Sequence, residues 1–149
     1  MRFARENYSM DLMREMVHLW PKHQMEVGTF RDMPIDPQFE VYESADHSNQ
    51  LRIFTVRQSG GMVGYQIFWV HTHPHYRGEK QASQDLLYLD PNHRKGMAGY
   101  KFIVWCDNQL KAEGINLIVH TMRDGADLSS IYNRMGYEKS DTVYVRRAA

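Results

Sequence analysis

The sequence predicts an α/β (α+β) protein, a sheet with helices packed on its faces. Three observations predict it. Apolar residues recur at three-four spacing before Gly28 and again after Gly96; the period changes to two from Leu51; and glycine, proline and aspartate stand where the pattern changes.

Arg2 to Arg5 reads as a short first strand. Ser9 can cap a helix with Leu12, Met13, Met16, Val17 and Trp20 on its apolar side. Pro21 is at worst a kink in that helix, which continues to Val27 and stops at Gly28. Asp36-Pro37 has the form of an N-cap and first residue of a second helix, with Phe39, Val41 and Tyr42 near its apolar side. Two alternating runs, LRIFTVRQ and MVGYQIFWVH, flank Ser59-Gly60-Gly61 and predict a hairpin. DLLYLDP predicts a third strand of this run, closed by Asp90-Pro91. A helix follows Gly96, with Ile103, Cys106 and Leu110 on one side and Gly114 at its end. INLIVHT reads as a strand, DLSSIYNRMG as a short helix capped by Asp127 or a neighbour, and TVYVRR as a final strand.

With 149 residues and no repeat or linker, residues 1–149 read as a single domain, able to bury roughly two thirds of its unfolded surface. The only cysteine, Cys106, excludes an internal disulfide and a Cys-x-x-Cys pair, which suits a reducing cytoplasm. The charged N-terminus has neither the apolar core of a secretory signal nor that of a membrane anchor. Eighteen basic and eighteen acidic residues cancel, so no protein-wide positive field calls for nucleic acid. Arg57, Arg146 and Arg147 form at most a local patch, and a solvated face is the simpler reading. No Walker loop, dinucleotide fingerprint or Gly-x-Ser-x-Gly is present.

The junction LYLDPNHRKGMAGYKFI carries the strongest signal. A strand, a short glycine-containing loop and a helix together make a phosphate cradle, because the helix's first N–H groups lack internal partners and its dipole favours an anion. Gly96 allows close backbone approach, Ala98 keeps the first turn small, and Arg94 and Lys95 add positive charge. The guest this pattern suits is a polyphosphate.

His93-Arg94-Lys95-Gly96-Met97-Ala98 resembles the coenzyme A loop of the GNAT N-acetyltransferases, Gln/Arg-x-x-Gly-x-Gly/Ala, with His93 where that family has Gln or Arg. Ile131-Tyr132-Asn133-Arg134-Met135-Gly136-Tyr137 is similar to the family's late Phe-Tyr-x-x-x-Gly-Phe, and the order of elements is also similar. The His-Pro-His-Tyr stretch and the Leu-Asp-Pro junction resemble acetyltransferase-like proteins of phage genomes, which would act in the host cytoplasm. The resemblance implies a mixed, largely antiparallel sheet with helices on both faces. It also implies acetyl-CoA as cosubstrate with no metal, an amine acceptor attacking the thioester directly, and a homodimer. Acetyl-CoA would lie against Leu87, Tyr88 and Leu89 and on His93, Arg94, Lys95, Gly96, Met97 and Ala98. Tyr132 would protonate the departing thiolate; the plainer reading is a structural tyrosine beside the turn at Gly136. For the base, Asp85, Glu26 and the acceptor-side histidines His23, His73 and His75 all stand open, against strand-end, helix-surface and loop roles. The acceptor is a small amine, a protein lysine or a chain terminus. The rival is a catalytically silent binding or assembly protein of the same fold, which the departure at His93 favours.

WVHTHPHYRGEKQASQD is also similar to the zinc site of JAMM metallopeptidases, which needs His-x-His, seven residues, Ser, two residues and Asp. From His71 and His73 the Ser and Asp positions hold Gln81 and Gln84. From His73 and His75, Ser83 fits but Leu86 stands at the Asp position, with Asp85 one residue early. Both registers fail, and a loop over the acceptor pocket is the expected role.

Overall fold

The glycine-rich turn sets the middle of the sheet. β2 (Leu51–Gln58) and β3 (Gly61–Thr72) pair antiparallel through a two-residue turn in which Ser59 and Gly60 have φ of 52° and 85°. Positive φ at both positions makes a type I′ turn, whose twist matches that of the strands it joins. β1 (Arg2–Glu6) adds to β2 and β4 (Lys80–Leu89) to β3, both antiparallel, while β5 (Leu117–Val119) joins β4 in parallel. The order is β1-β2-β3-β4-β5 in this computed structural model, which describes residues 1–148.

Alternation along the strands divides the core in two. Leu51, Ile53, Tyr65 and Ile67 face α1 (Met10–Val27) and α2 (Phe39–His47), meeting Leu12, Met13, Met16 and Ala45. Phe54, Val56, Phe68 and Val70 face α3 (Ala98–Ala112), meeting Phe102, Cys106 and Leu110. Each such large side chain, fully buried, stabilises by about 1.5–3 kcal/mol. α4 (Ser129–Arg134) follows β5, with Asp127 accepting from the Ser129 N–H (2.9 Å) and hydroxyl (2.6 Å) at its start.

The helix ends follow local chemistry. Ser9 Oγ accepts from Leu12 N–H at 3.1 Å, and α1 runs through Pro21 unbroken. The chain leaves the helix at Gly28, where only glycine fits, since a Cβ there would sit 2.5 Å from the Gln24 carbonyl oxygen. α2 starts later than Asp36-Pro37 suggests: its N-cap is Gln38 and no side chain caps it. Packing of Phe39, Tyr42 and Ala45 on the core sets that start instead of a polar cap.

Two strand expectations need correction. β4 begins at Lys80 and not Asp85, because the polar Gln81 and Ser83 hide its alternation; in return it gains pairing with β5. Thr142–Arg147 forms no strand. Val143, Tyr144 and Val145 are exposed, and Arg147 reaches back to Asp32 (2.6 Å) and the Phe30 ring. Arg57 joins no basic patch: it is clamped by both Glu6 and Glu15, at 2.8–3.1 Å. Among the described residues no helix is long and apolar enough to cross a membrane.

Candidate active site

The site is built around an irregularity in β4. Opposite β3, Phe68 pairs with Gln84 and Ile67 with Leu86, leaving Asp85 unpaired as a β-bulge. The extra residue resets the alternation. Ala82 lies on the α3 face, as does Gln84 through its bond to His120, yet Leu86 packs with the α1–α2 core. Asp85 and Leu86 therefore look to the same side. There Asp85 accepts from Tyr42 Oη (3.3 Å), and burial raises its carboxyl above the usual range.

A second irregularity opens the sheet beside it. β5 pairs with β4 only at Gln81–Ser83, so from Gln84 to Leu89 the outer edge of β4 has no strand partner among the described residues. Two cavities flank this edge. One, of about 290 Å³, is lined by Trp20, His23, Tyr42, Gln84, Asp85 and Arg123 among others. The second, of about 410 Å³, is lined by Leu87, Tyr88 and Leu89, by Arg94, Gly96, Met97 and Gly99, and by Ser130, Ile131 and Arg134 of α4. His23, Val27, Leu87, Ala126 and Leu128 line both, so the cavities adjoin.

His23 at that junction is held on two sides. Its Nδ1 shares a 2.9 Å hydrogen bond with Tyr65 Oη, and its ring stacks on Tyr88 at 5.0 Å. Burial drives its pKa down to about 4, so it is neutral near pH 7. Glu26 is committed elsewhere: both its oxygens receive Arg94 at 2.7 Å, while Arg94 Nε donates to the Leu89 carbonyl at 2.6 Å. With Lys22 on Asp90 (3.3 Å), this clasp ties α1 to the loop before α3. That loop has Gly96 at φ +64° with open space where a Cβ would be, and no side chain caps α3.

The other predicted residues lie apart. His93, Lys95 and Ala98 line neither cavity; His93 Nδ1 is buried without a hydrogen bond, 3.8 Å from Asp90 Oδ1. His73 and His75 sit in the β3–β4 loop, bonded to each other through His75 N–H and His73 Nδ1 (3.1 Å), and line neither cavity. Among the described residues no group of three His, Cys, Asp or Glu side chains could hold a metal.

No family model matches the chain, and no curated protein does. Solved structures do. An aminoglycoside acetyltransferase from an uncultured soil metagenomic sample, in complex with sisomicin, is 14% identical with a TM-score of 0.76, over 99% of this chain and 96% of that one. A ribosomal-protein-alanine N-acetyltransferase from Brucella melitensis biovar Abortus 2308 is 17% identical, with a TM-score of 0.68 and 99% of both chains covered. A predicted acetyltransferase with acetyl-CoA from Clostridium acetobutylicum is 13% identical, with a TM-score of 0.69 over 98% of this chain and 96% of that one. The fold is that of the GNAT acetyltransferases.

Within this GNAT fold the split between β4 and β5 is braced by side chains that sequence reasoning missed. Gln84 Nε2 donates to the Thr121 carbonyl (3.0 Å), and its Oε1 shares a hydrogen bond with His120 Nδ1 (2.9 Å). His120 Nε2 in turn meets Asp107 Oδ1 at 3.0 Å, and Tyr137 donates its hydroxyl to the same carboxylate. Tyr132 stacks on His120 at 4.9 Å, lines neither cavity, and its buried hydroxyl has no partner. Glutamine on β4, histidine just after β5 and aspartate on α3 carry no spacing signal, so only the late Tyr-x-x-x-Gly-Tyr stretch pointed here.

Proposed function

We propose that the protein transfers an acetyl group from acetyl-CoA to a primary amine, by direct attack in a ternary complex. The observation that carries this reading is the free edge of β4 from Gln84 to Leu89, with a cavity on each side and a bulge at its head. An extended, amide-containing arm such as pantetheine pairs with a strand edge as a peptide does. The residues present fit the cosubstrate. α3 is fifteen residues long with an uncapped N-terminus, Gly96 leaves room above it, and Arg94 stands beside it.

In this reading Leu87, Tyr88 and Leu89 meet the pantetheine, and Arg94, Gly96 and Met97, the part of the His93–Ala98 loop that lines the second cavity, meet the pyrophosphate. Asp85 is our choice of base, because it lines the other cavity and burial raises its proton affinity. It takes one proton of the ammonium, the nitrogen bonds to the acetyl carbon and gives up a second proton, and the carbon–sulfur bond breaks. Tyr132, outside both cavities but next to the cavity-lining Ile131, is assigned the proton donor to the leaving thiolate, which its unmet hydroxyl supports. His23, neutral at the junction, holds the geometry through Tyr65 and Tyr88. The lone, buried Cys106 suits a reducing cytoplasm.

One observation favours a silent binding protein instead. Arg94, the cation best placed for a pyrophosphate, already has its guanidinium filled by Glu26 and the Leu89 carbonyl. Calorimetric titration of tag-free protein with acetyl-CoA decides between them. One-to-one micromolar binding supports the transferase; no binding supports the silent fold.

A further inference from the structure

The cavity beside Asp85 carries one charge of each sign. Among the described residues Asp85 is its only acidic lining residue. Arg123, on the loop between β5 and α4, is its only basic one, and no ion pair or hydrogen bond engages the Arg123 side chain among the described residues. The two act in one field: the Arg123 charge lowers the proton affinity of both Asp85 and His23. Trp20, Ile35, Tyr42, Leu86 and Met122 supply an apolar wall, in which the buried Trp20 indole N–H is a second donor without a partner.

That pattern selects among amines. A polyamine or an aminoglycoside brings several cations and no carboxylate, so it would set positive charge against Arg123 with one carboxylate to answer it. A volume of about 290 Å³ lies just below the range for drug-sized ligands, roughly 300–1,000 Å³, and suits a smaller one. A peptide N-terminus carries no carboxylate next to its amine. A free α-amino acid presents ammonium and carboxylate together, and an apolar side chain matches the wall.

We propose that the acceptor is a small α-amino acid with an apolar side chain, its amine at Asp85, its carboxylate at Arg123 and its side chain against Trp20 and Leu86. The proposal rests on the transferase reading. The reaction forms the new bond from the α-nitrogen to the acetyl carbon as the carbon–sulfur bond breaks, giving an N-acetyl amino acid, coenzyme A and one proton.

The test compares L-leucine with L-leucinamide and 3-methylbutylamine, which lack the free carboxylate, in a mass-spectrometric assay with acetyl-CoA. Arg123→Gln is assayed beside the unaltered protein. Leucine should be preferred by about 10- to 100-fold in kcat/KM, as expected for one charge-assisted contact. Arg123→Gln should erase that preference while acetyl-CoA affinity stays the same. Equal rates for the three amines, or faster transfer to an aminoglycoside, would overturn the acceptor class and leave the transferase intact. If acetyl-CoA does not bind, the transferase reading falls, and calorimetry with leucine and leucinamide alone still decides the cavity's preference. Leucine binding lost in Arg123→Gln supports it; equal or absent binding of both overturns it.

Discussion

Tyr132 separates a catalytic role from a structural one at a single oxygen. Its hydroxyl is buried and unpartnered, and burial together with Asp107 raises its pKa, so it stays protonated across the working range. Removing an unpaired buried hydroxyl costs little, while removing a proton donor costs turnover. Tyr132→Phe should therefore keep its stability within about 1 kcal/mol of the unaltered protein in urea melts, keep acetyl-CoA affinity, and lose about 100-fold or more in kcat. Unchanged kcat would return Tyr132 to a packing role. His23 makes a prediction about pH. Its folded pKa of about 4 lies below the ordinary value near 6.5, so between them the unfolded chain binds more protons. The stability it contributes is full above pH 6.5 and is lost as pH falls through about 4. His23→Gln should show a flatter stability profile than the unaltered protein between pH 7 and 4.5, measured by urea melts at each pH.

At the scale of the element, β4 is positioned by close contact with β3. Gly64 pairs with Leu89, and a Cβ at Gly64 would lie 2.7 Å from the Tyr88 carbonyl oxygen and 2.9 Å from Leu89 Cδ1. The backbone there cannot yield without moving Tyr88 and Leu89, both in the second cavity's lining. Gly64→Ala should cost about 1–3 kcal/mol in chemical denaturation and weaken acetyl-CoA binding. The bulge at Asp85 was not legible in the sequence. Leu86 to Leu89 is a continuous apolar run that suits both faces whichever way Asp85 points, and the polar residues before it carry no apolar period. The final strand failed for a related reason: TVYVRR alternates like a strand, yet a strand needs a partner edge, and none takes it among the described residues.

For the whole molecule, the Glu26–Arg94 clasp joins α1 to the loop before α3 across the second cavity. A pyrophosphate and Glu26 would compete for one guanidinium. Glu26→Gln should thus tighten acetyl-CoA binding by about 3- to 10-fold in calorimetry, whereas a loss of kcat with unchanged affinity would make Glu26 the base. Ligand bound only to the folded state stabilises it by about 2.7 kcal/mol at a hundred times its Kd. Acetyl-CoA at that level should raise Tm by about 5–10 °C, by scanning calorimetry.

The sequence by itself determined most of the local elements and the glycine loop before α3, because caps, turn glycines and apolar period act between near neighbours: Ser9 on Leu12, Ser59-Gly60 in its turn, Gly96 before α3. It pointed to Tyr132 through the stretch around Gly136, and to Asp85 and Glu26 only as members of an open set. The tertiary structure alone decided which of these meet. It set Asp85 on the α1 side through a bulge, bound Glu26 to Arg94, left His73 and His75 away from the cavities, and brought Arg123 to face Asp85's cavity. Such pairings join residues dozens of positions apart, through strand register and the packing of α1 over the sheet, and neither is written in any local spacing.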